Sequence, residues 1–424
     1  MSDNKKILII CYAFPPYPGI GGRRWAKFAK YLIRSGYEVY SIAANNPFDK
    51  ESAWLSDVQG VKRKTLPLLY PKSLITFPSG LLGALLYRFS KFILKFTTKG
   101  NYFDKSIFWR KQLLESTSKV IQENNIQTVI VSAAPFMLLD HAAALKSMFP
   151  KLYLIADIRD PWTNNHTSYA FDTMSAKRLQ HEKNIESKVF SSYDKVITVS
   201  DVITNGYKNM YPNTNSKFVT LNNGFDPNEN ASVEIPQLEM SQEKVNLVFT
   251  GSFYDKATNR FQLLLECLQK NDYQNLHFYF FGPGNRNLKN LVPKELTKKF
   301  TFGSFDKISQ VNGLINQADY AMLFLTDDIN YSLSTKFCEY IKLKKKILVF
   351  SKPGFTGVYV EENQIGYQIH ENNMDAVLEK LNSQGKDDKF FPESFDVSAF
   401  SLEILSNQLL QILQNQTKPT LTHA

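Results

Sequence analysis

Three stretches in the second half of the chain carry residues that could act on one ligand. Lys256 lies just past the apolar run Val245 to Thr250 and its break at Gly251-Ser252. Gly282-Pro283-Gly284 closes a second apolar run, Leu276 to Phe281. Ser334-Thr335-Lys336-Phe337-Cys338-Glu339 follows a third, Tyr320 to Leu325. Ser334 is a good helix N-cap, and the first-turn amides behind it lack partners within the helix, so they can bind an anion. Thr335 and Glu339 share a helix face at a spacing of four, and Lys336 adjoins Glu339 at a spacing of three. One short helix could thus hold a diphosphate at its tip and present a carboxylate one turn further in. A carboxylate accepts two hydrogen bonds at once, which suits the paired hydroxyls of a ribose. A lysine at 256 can neutralise a diphosphate as a point charge. Taken singly, Glu339 reads as a solvated carboxylate paired with Lys336 or Lys342, and Lys256 as a surface lysine. Glycine breaks after three successive apolar runs, at Gly251, Gly282 and Gly303, favour a phosphate and ribose site.

A second set lies in the first half. Gly19-Ile20-Gly21-Gly22 follows the apolar run that begins at Lys6, and Arg23 opens the stretch behind the glycines. Glycines there let a ligand approach the backbone, or simply make a tight turn. The spacing lacks the full G-x-G-x-x-G of dinucleotide sites. Further on, Asp157-Ile158-Arg159-Asp160-Pro161-Trp162, with Asn164, Asn165 and His166, ends another apolar run. Carboxylates, an arginine and a tryptophan at the carboxyl end of a parallel strand sit where open α/β sheets bind ligands. The competing reading is a loop braced by an Asp–Arg pair.

These positions need a scaffold, and periodicity supplies it. Strands are expected at Lys6 to Tyr12, Val39 to Ala43, Thr128 to Ser132, Tyr153 to Ala156, Lys195 to Val199 and Phe218 to Leu221. Helices fall between them, at Arg23 to Arg34, Ser116 to Glu123, Leu138 to Met148, Ala176 to Phe190, and from a Ser200 cap to Met210. Asn228 to Lys244 is polar and irregular, with Pro236 inside, and reads as an interdomain linker. The second half repeats the logic with strands at Val245 to Thr250, Leu276 to Phe281, Phe300 to Phe302, Tyr320 to Leu325 and Gly366 to Ile369. Its helices are Asn259 to Leu268, Lys307 to Asn316, the segment after Ser334 and one from Met374. Val397 to Leu413 is a final amphipathic helix. Alternating strands and helices predict an α/β protein with parallel, doubly wound sheets.

With 424 residues, 43% hydrophobic and 21% charged, the chain suits two globular domains. No apolar run reaches the ~18 residues needed to span a bilayer. The N-terminal run is too short for a signal peptide and reads as a first strand. Cys11, Cys267 and Cys338 are far apart, fit neither a zinc site nor a disulfide framework, and suit a reducing compartment. The formal charge of +10 admits nucleic acid, an anionic membrane or an anionic ligand. Its distribution favours the membrane. In a helix expected over 81–99, Arg88, Lys91, Lys95 and Lys99 line one face, while Leu82, Leu85, Leu86, Phe89, Phe92, Ile93 and Phe96 cover most of the rest. A cationic helix with a broad apolar face can lie in a membrane interface; the alternative is a core-packed helix with a solvated basic edge. Nucleic acid fits poorly, because these aromatics are not interleaved with groups that read bases.

Taken in order along the chain, the first strand with Gly19 to Gly22, Asp157 to Trp162, Asn223-Gly224-Phe225-Asp226, Thr250-Gly251-Ser252-Phe253, Gly282-Pro283-Gly284 and Thr335-Lys336-Phe337-Cys338-Glu339-Tyr340 resemble a GT-B glycosyltransferase, most nearly glycosyltransferase family 4. The resemblance implies two Rossmann-like domains facing a cleft: an acceptor domain over 1–227, a linker over 228–244, a nucleotide-sugar domain over 245–396, and a return helix and tail over 397–424 that cross back onto the first domain. It implies sugar transfer from a UDP- or GDP-sugar with retention of configuration and no bound metal; the nucleotide-sugar is a substrate, and no cofactor is expected. Glu339 would hold the donor ribose and Lys256 the diphosphate, with Asp160 completing the catalytic set. Gly251, Ser252, Gly282, Gly284, Ser334, Thr335 and Lys336 would line the donor, and Gly21 and Gly22 would close over it. Arg23, Asp157, Trp162 and His166 would face the acceptor, a lipid-linked or surface-polysaccharide precursor at the inner face of the cell membrane. Tyr331 stands where the family often has a second glutamate, and Ser252 where it often has an arginine; Lys336 would then compensate for the missing cation. A nucleotide-sugar epimerase on the same fold, or a non-catalytic GT-B-like binding protein, are the alternatives.

Overall fold

A computed structural model describes residues 5–76, 78–165, 170–229, 238–282, 285–305, 308–327, 329 and 331–414. His166 and Gly284 therefore lie outside the described residues. The chain divides into two compact units, Met1–Asn222 with Leu402–Ala424, and Asn223–Ser401.

The first unit is built on a seven-stranded parallel sheet, in the order β3-β2-β1-β4-β5-β6-β7. Its strands are β1 (Lys6–Cys11), β2 (Glu38–Ala44), β3 (Lys62–Leu66), β4 (Thr128–Ala133), β5 (Tyr153–Ile158), β6 (Lys195–Thr198) and β7 (Phe218–Thr220). The central strands are buried on both faces, which explains their unbroken apolar runs. The helices used below are α1 (Arg23–Arg34), α2 (Gly80–Thr97) and α3 (Ala176–Ser192). The edge strand β3 has no counterpart in the sequence reading. Lys62, Arg63 and Lys64 are exposed there, and charge on an edge strand discourages pairing with another chain.

The second unit carries a six-stranded parallel sheet, β10-β9-β8-β11-β12-β13. Its strands are β8 (Val245–Thr250), β9 (Leu276–Phe281), β10 (Phe300–Gly303), β11 (Tyr320–Phe324), β12 (Lys346–Phe350) and β13 (Gly366–Ile369). Helix α4 (Thr258–Lys270) follows β8, and α5 (Thr335–Lys342) follows β11. The unit begins at Asn223, within the segment assigned by sequence to the first domain. The Phe225 amide donates to the Phe400 carbonyl at 3.0 Å, and both side chains pack in one core with Phe337 and Tyr340.

The final helix starts later than its apolar pattern suggests. Val397–Phe400 is a separate 3-10 turn, whose Ser398 amide is capped by Asp396. Helix α6 (Leu402–Gln414) then belongs to the first unit and packs Leu402, Leu405, Leu409 and Leu413 into the core formed by Trp25, Phe28 and Leu32 of α1.

Candidate functional site

In both sheets the chain reverses its winding beside the first strand, between β1 and β4 in one unit and between β8 and β11 in the other. Open α/β sheets bind ligands in the crevice outside the strand ends at such a point. In the second unit, β8 ends at Gly251-Ser252 and α5 follows β11, so the Ser334-to-Glu339 stretch comes to this edge.

Helix α5 is seated firmly. Phe337, Cys338, Tyr340 and Ile341 are buried, while Thr335, Lys336, Glu339 and Lys342 occupy the half-buried remainder. Ser334 caps it as expected, its Oγ accepting from the Phe337 amide at 3.2 Å. Tyr340, 1% exposed, donates its hydroxyl to the Met322 carbonyl of β11 at 3.3 Å and accepts the Thr250 amide of β8 at 3.4 Å. One side chain thus ties α5 to both strands that flank the crevice.

Lys336 projects from this helix onto the end of β8. Its Nζ donates to the Ser252 carbonyl at 3.3 Å and stands 4.1 Å from the centroid of the Phe249 ring. Gly251 is required beneath it. Its φ is +96°, and a Cβ there would come within 2.9 Å of Lys336 Cε. Gly282 is required in turn, because its φ is +143° and a Cβ would lie 2.4 Å from the Gly251 carbonyl oxygen. Desolvation brings the Lys336 ammonium down to about 8. Lys342 turns the other way, donating to the carbonyls of Asp226 and Glu229, both at 3.0 Å. Lys256 is exposed in a helical turn, Asp255–Ala257, between β8 and α4, and Glu339 lies one turn into α5; Ser252 is exposed beside Gly251.

Sequence reasoning passed over three side chains near these strand ends. Asn285, 2% exposed, opens a short helix after β9, and neither its Nδ2 nor its Oδ1 has a hydrogen-bond partner among the described residues. Thr326 Oγ1, two residues past β11, and Arg260 Nε on α4 are buried and unpartnered in the same sense. Arg260 pairs through Nη2 with one oxygen of Asp327, whose second oxygen lies 2.6 Å from Lys352 Nζ. Buried polar atoms without partners are costly, and a ligand can meet them. Only Thr326, directly after the apolar run Tyr320 to Leu325, carried a signal in the amino-acid order.

The first unit uses its strand ends differently, and two assignments are corrected. Asp157 is fully buried. It accepts Arg24 Nε at 3.1 Å, Trp25 Nε1 at 2.7 Å and Ser132 Oγ at 2.8 Å, so it braces α1, β4 and β5 and cannot reach an acceptor. For Asp157 the competing reading of an Asp–Arg brace fits, with Arg24 as its arginine. Trp162 is also fully buried, stacked on Phe136 at 5.2 Å and donating Nε1–H to Glu182 at 2.9 Å, so its face is closed to a sugar. Arg159 instead spans the switch point, donating to the carbonyls of Ala133 at 3.2 Å and Gly21 at 3.0 Å. Gly22 is required by packing, since a Cβ would sit 2.2 Å from the Ala13 oxygen. Arg23 is 6% exposed, with its guanidinium 5.4 Å from the Trp54 ring, and Asp160 is half-buried after β5.

Helix α2 does not pack its apolar face. Gly83 and Leu94 are its buried residues, with Tyr87, Ser90 and Lys91 half-buried along the same side. Leu81, Leu82, Leu85, Leu86, Phe89, Phe92, Ile93 and Phe96 are 41–88% exposed. Arg88, Lys95 and Lys99 are exposed beside them. The core-packed alternative is thereby excluded. No helix among the described residues is long and apolar enough to cross a membrane.

Two parallel, doubly wound sheets with helices on both faces, and a C-terminal helix returned to the first unit, define an α/β fold of the GT-B class. The solved structures it resembles include a glycosyltransferase from Rickettsia africae, with TM-score 0.62 and 14% identity, covering 99% of this chain and 100% of that one. Sucrose-phosphate synthase from Thermosynechococcus elongatus matches with TM-score 0.65 and 12% identity, over 97% and 98% of the two chains. WaaG, a glycosyltransferase involved in lipopolysaccharide biosynthesis, matches with TM-score 0.57 and 14% identity, over 95% and 99%. No protein-family model and no curated protein sequence matches the chain.

Proposed function

We propose that this protein is a retaining, metal-independent glycosyltransferase that moves a sugar from a UDP- or GDP-sugar to a lipid-linked or surface-polysaccharide precursor. The observation that carries the reading is Lys336, whose ammonium is set over Gly251 and the Phe249 ring at the switch point of the second sheet. A cation at a glycine-lined strand end, beside a helix N-terminus, suits a diphosphate. The fold shared with glycosyltransferases supports the class of reaction.

The difficult step is departure of the nucleoside diphosphate. The bond from the anomeric carbon to the phosphate oxygen breaks as the acceptor hydroxyl forms the new glycosidic bond on the same face. The leaving phosphate takes the acceptor's proton, so no protein nucleophile is needed. Lys256, Lys336 and the first turn of α5 stabilise the charge that develops on the diphosphate. Glu339 accepts the ribose hydroxyls. Asp160 contacts donor or acceptor sugar. Ser252 leaves room where the family often has an arginine, and Lys336 supplies the charge.

The exposed face of α2 supports work at a membrane surface, the inner face of the cell membrane being the one that a reducing compartment and a nucleotide-sugar suit. Apolar side chains would enter the interface while Arg88, Lys91, Lys95 and Lys99 meet anionic headgroups, each worth about 1 kcal/mol near the surface.

Calorimetry with UDP and GDP on wild type and Glu339→Ala tests the donor site. Loss of hydrogen bonds to a charged group, each about 1.5–3 kcal/mol, should weaken binding at least tenfold with the fold intact. Wild-type affinity in the variant would remove the assignment. Conversion of a nucleotide-sugar into its epimer, with the nucleotide still attached and no acceptor present, would make the protein an epimerase instead.

A further inference from the structure

The carboxyl-terminal turn of α2 walls a cavity of about 180 Å³ lined by Lys95, Tyr102, Phe103, Thr173, Ser175 and Arg178, among others. Among the described residues, no carboxylate lines it. Lys95 and Arg178 have no carboxylate partner among the described residues, and Lys91 and Lys99, four residues either side of Lys95, add positive charge. Arg178 donates to the carbonyls of Thr98 and Gly100, both at 2.6 Å, and to that of Lys95, so it holds the turn that shapes the cavity. The two aromatic rings carry cations on their faces: Arg178 lies 5.3 Å from the Tyr102 centroid, and Lys91 5.3 Å from that of Phe103. Three of the five guanidinium N–H groups are spent on those carbonyls, so Nε–H and one Nη2–H of Arg178, with the Lys95 ammonium, remain to meet an anion drawn to this positive wall. The adjoining cavity of about 230 Å³ is a poorer anion site, because the buried carboxyl of Glu182 lines it.

The position of the cavity says where the anion comes from. Lys95 lies on the same turn as Phe92 and Phe96, which are 61% and 72% exposed and end the apolar stripe of α2. Acyl chains meeting that stripe would bring a headgroup to Lys95.

We infer that this cavity binds the terminal phosphate of a membrane lipid, clamped by Lys95 and Arg178 while α2 lies in the interface. The inference rests on the membrane reading of α2 and adds a recognition site to it. A dianionic phosphate monoester gains more from two fixed cations than a monoanionic diester does. The protein should therefore prefer phosphatidate over phosphatidylglycerol when vesicles of the two are matched in surface charge.

Vesicle co-sedimentation tests this with the full chain, using phosphatidylcholine vesicles doped with either anionic lipid. Wild type should bind the phosphatidate vesicles at least fivefold more tightly. Thr173→Trp, which fills the cavity without changing charge, should abolish that preference and leave binding to phosphatidylglycerol unchanged. Phe89→Glu should weaken binding to both. Equal affinity of wild type for the two charge-matched vesicles, with Phe89→Glu still defective, would overturn the cavity site and leave the membrane reading standing. Failure of wild type to bind either vesicle would overturn both. Full displacement from phosphatidate vesicles by inorganic phosphate at the lipid's own concentration would make this a site for soluble phosphate and overturn the lipid assignment.

Discussion

The two sheets share one winding order and differ in how they use the charged groups at their switch points. Between β1 and β4 the charged groups are turned inward and satisfied: Asp157 takes three donors and Arg159 joins the end of β4 to the Gly21 turn through carbonyls, while the buried Tyr12 and Tyr17 hydroxyls lack partners among the described residues. Between β8 and β11 an ammonium rests on a glycine and a ring, and the nearby Asn285, Thr326 and Arg260 keep polar atoms without partners among the described residues. Identical topology therefore does not make equivalent sites. A polar residue at a strand end marks a ligand site when its hydrogen-bonding capacity is left over, and a brace when it is used up.

Substitutions can break this contrast. The largest effect should come from the brace. Asp157→Ala leaves the buried Arg24 guanidinium without its carboxylate and should cost about 3–5 kcal/mol in urea unfolding. UDP affinity of the remaining folded protein should not change; a matching loss of affinity would put Asp157 in the binding machinery after all. Glu182 gives a smaller effect of the same kind. Burial raises its carboxyl from 4.5 to about 7, although Asn101 N–H and Trp162 Nε1–H both donate to it. Between those two pH values the unfolded chain ionises this group while the folded chain keeps its proton. Stability of the first unit should thus fall by about 3 kcal/mol as pH rises from about 4.5 to about 7, and level off above. Glu182→Gln should flatten that slope, and an unchanged slope would assign it to another group.

The strand ends of the second unit should respond in the opposite sense. Lys336→Ala removes a cation–π contact worth under about 1 kcal/mol and should barely move the unfolding midpoint. It should weaken UDP or GDP binding by about 10- to 100-fold, the loss of one charged contact to a diphosphate. Unchanged affinity and turnover would end the idea that Lys336 replaces the cation absent at Ser252.

Much of this was legible in the amino-acid order. Buried parallel strands announce themselves as apolar runs, so β8, β9 and β13 were bounded correctly, as was α1 between Gly22 and Ser35. The Ser334 cap followed from residue type alone. Edges and interiors were harder. β3 is written in lysines and arginine because it is exposed, and carries no strand period. Asp157 and Trp162 looked like ligand residues because one-dimensional order cannot say that Arg24, Trp25 and Glu182 arrive from other elements to absorb them. Lys336 was expected beside Glu339 on its helix; that it would reach across to Phe249 and Ser252 depends on Gly251, which only packing explains.

The finest test uses the protonation of that lysine. With its pKa brought down to about 8 by burial, Lys336 loses its charge in the free protein as pH rises past that value. The terminal phosphate of UDP, with a pKa near 6, is fully ionised throughout this range, so the ligand's own charge stays constant. A bound diphosphate favours the ammonium and should pull a proton back onto it. Calorimetry near pH 8.5 in buffers of differing ionisation enthalpy should then register uptake of a fraction of a proton on UDP binding, with affinity declining several-fold between pH 7.5 and 9.5. Lys336→Arg keeps its charge at every such pH and should show neither the uptake nor the decline. If uptake persists in the arginine variant, the titrating group lies elsewhere, and the cation over Gly251 is not the one that meets the diphosphate.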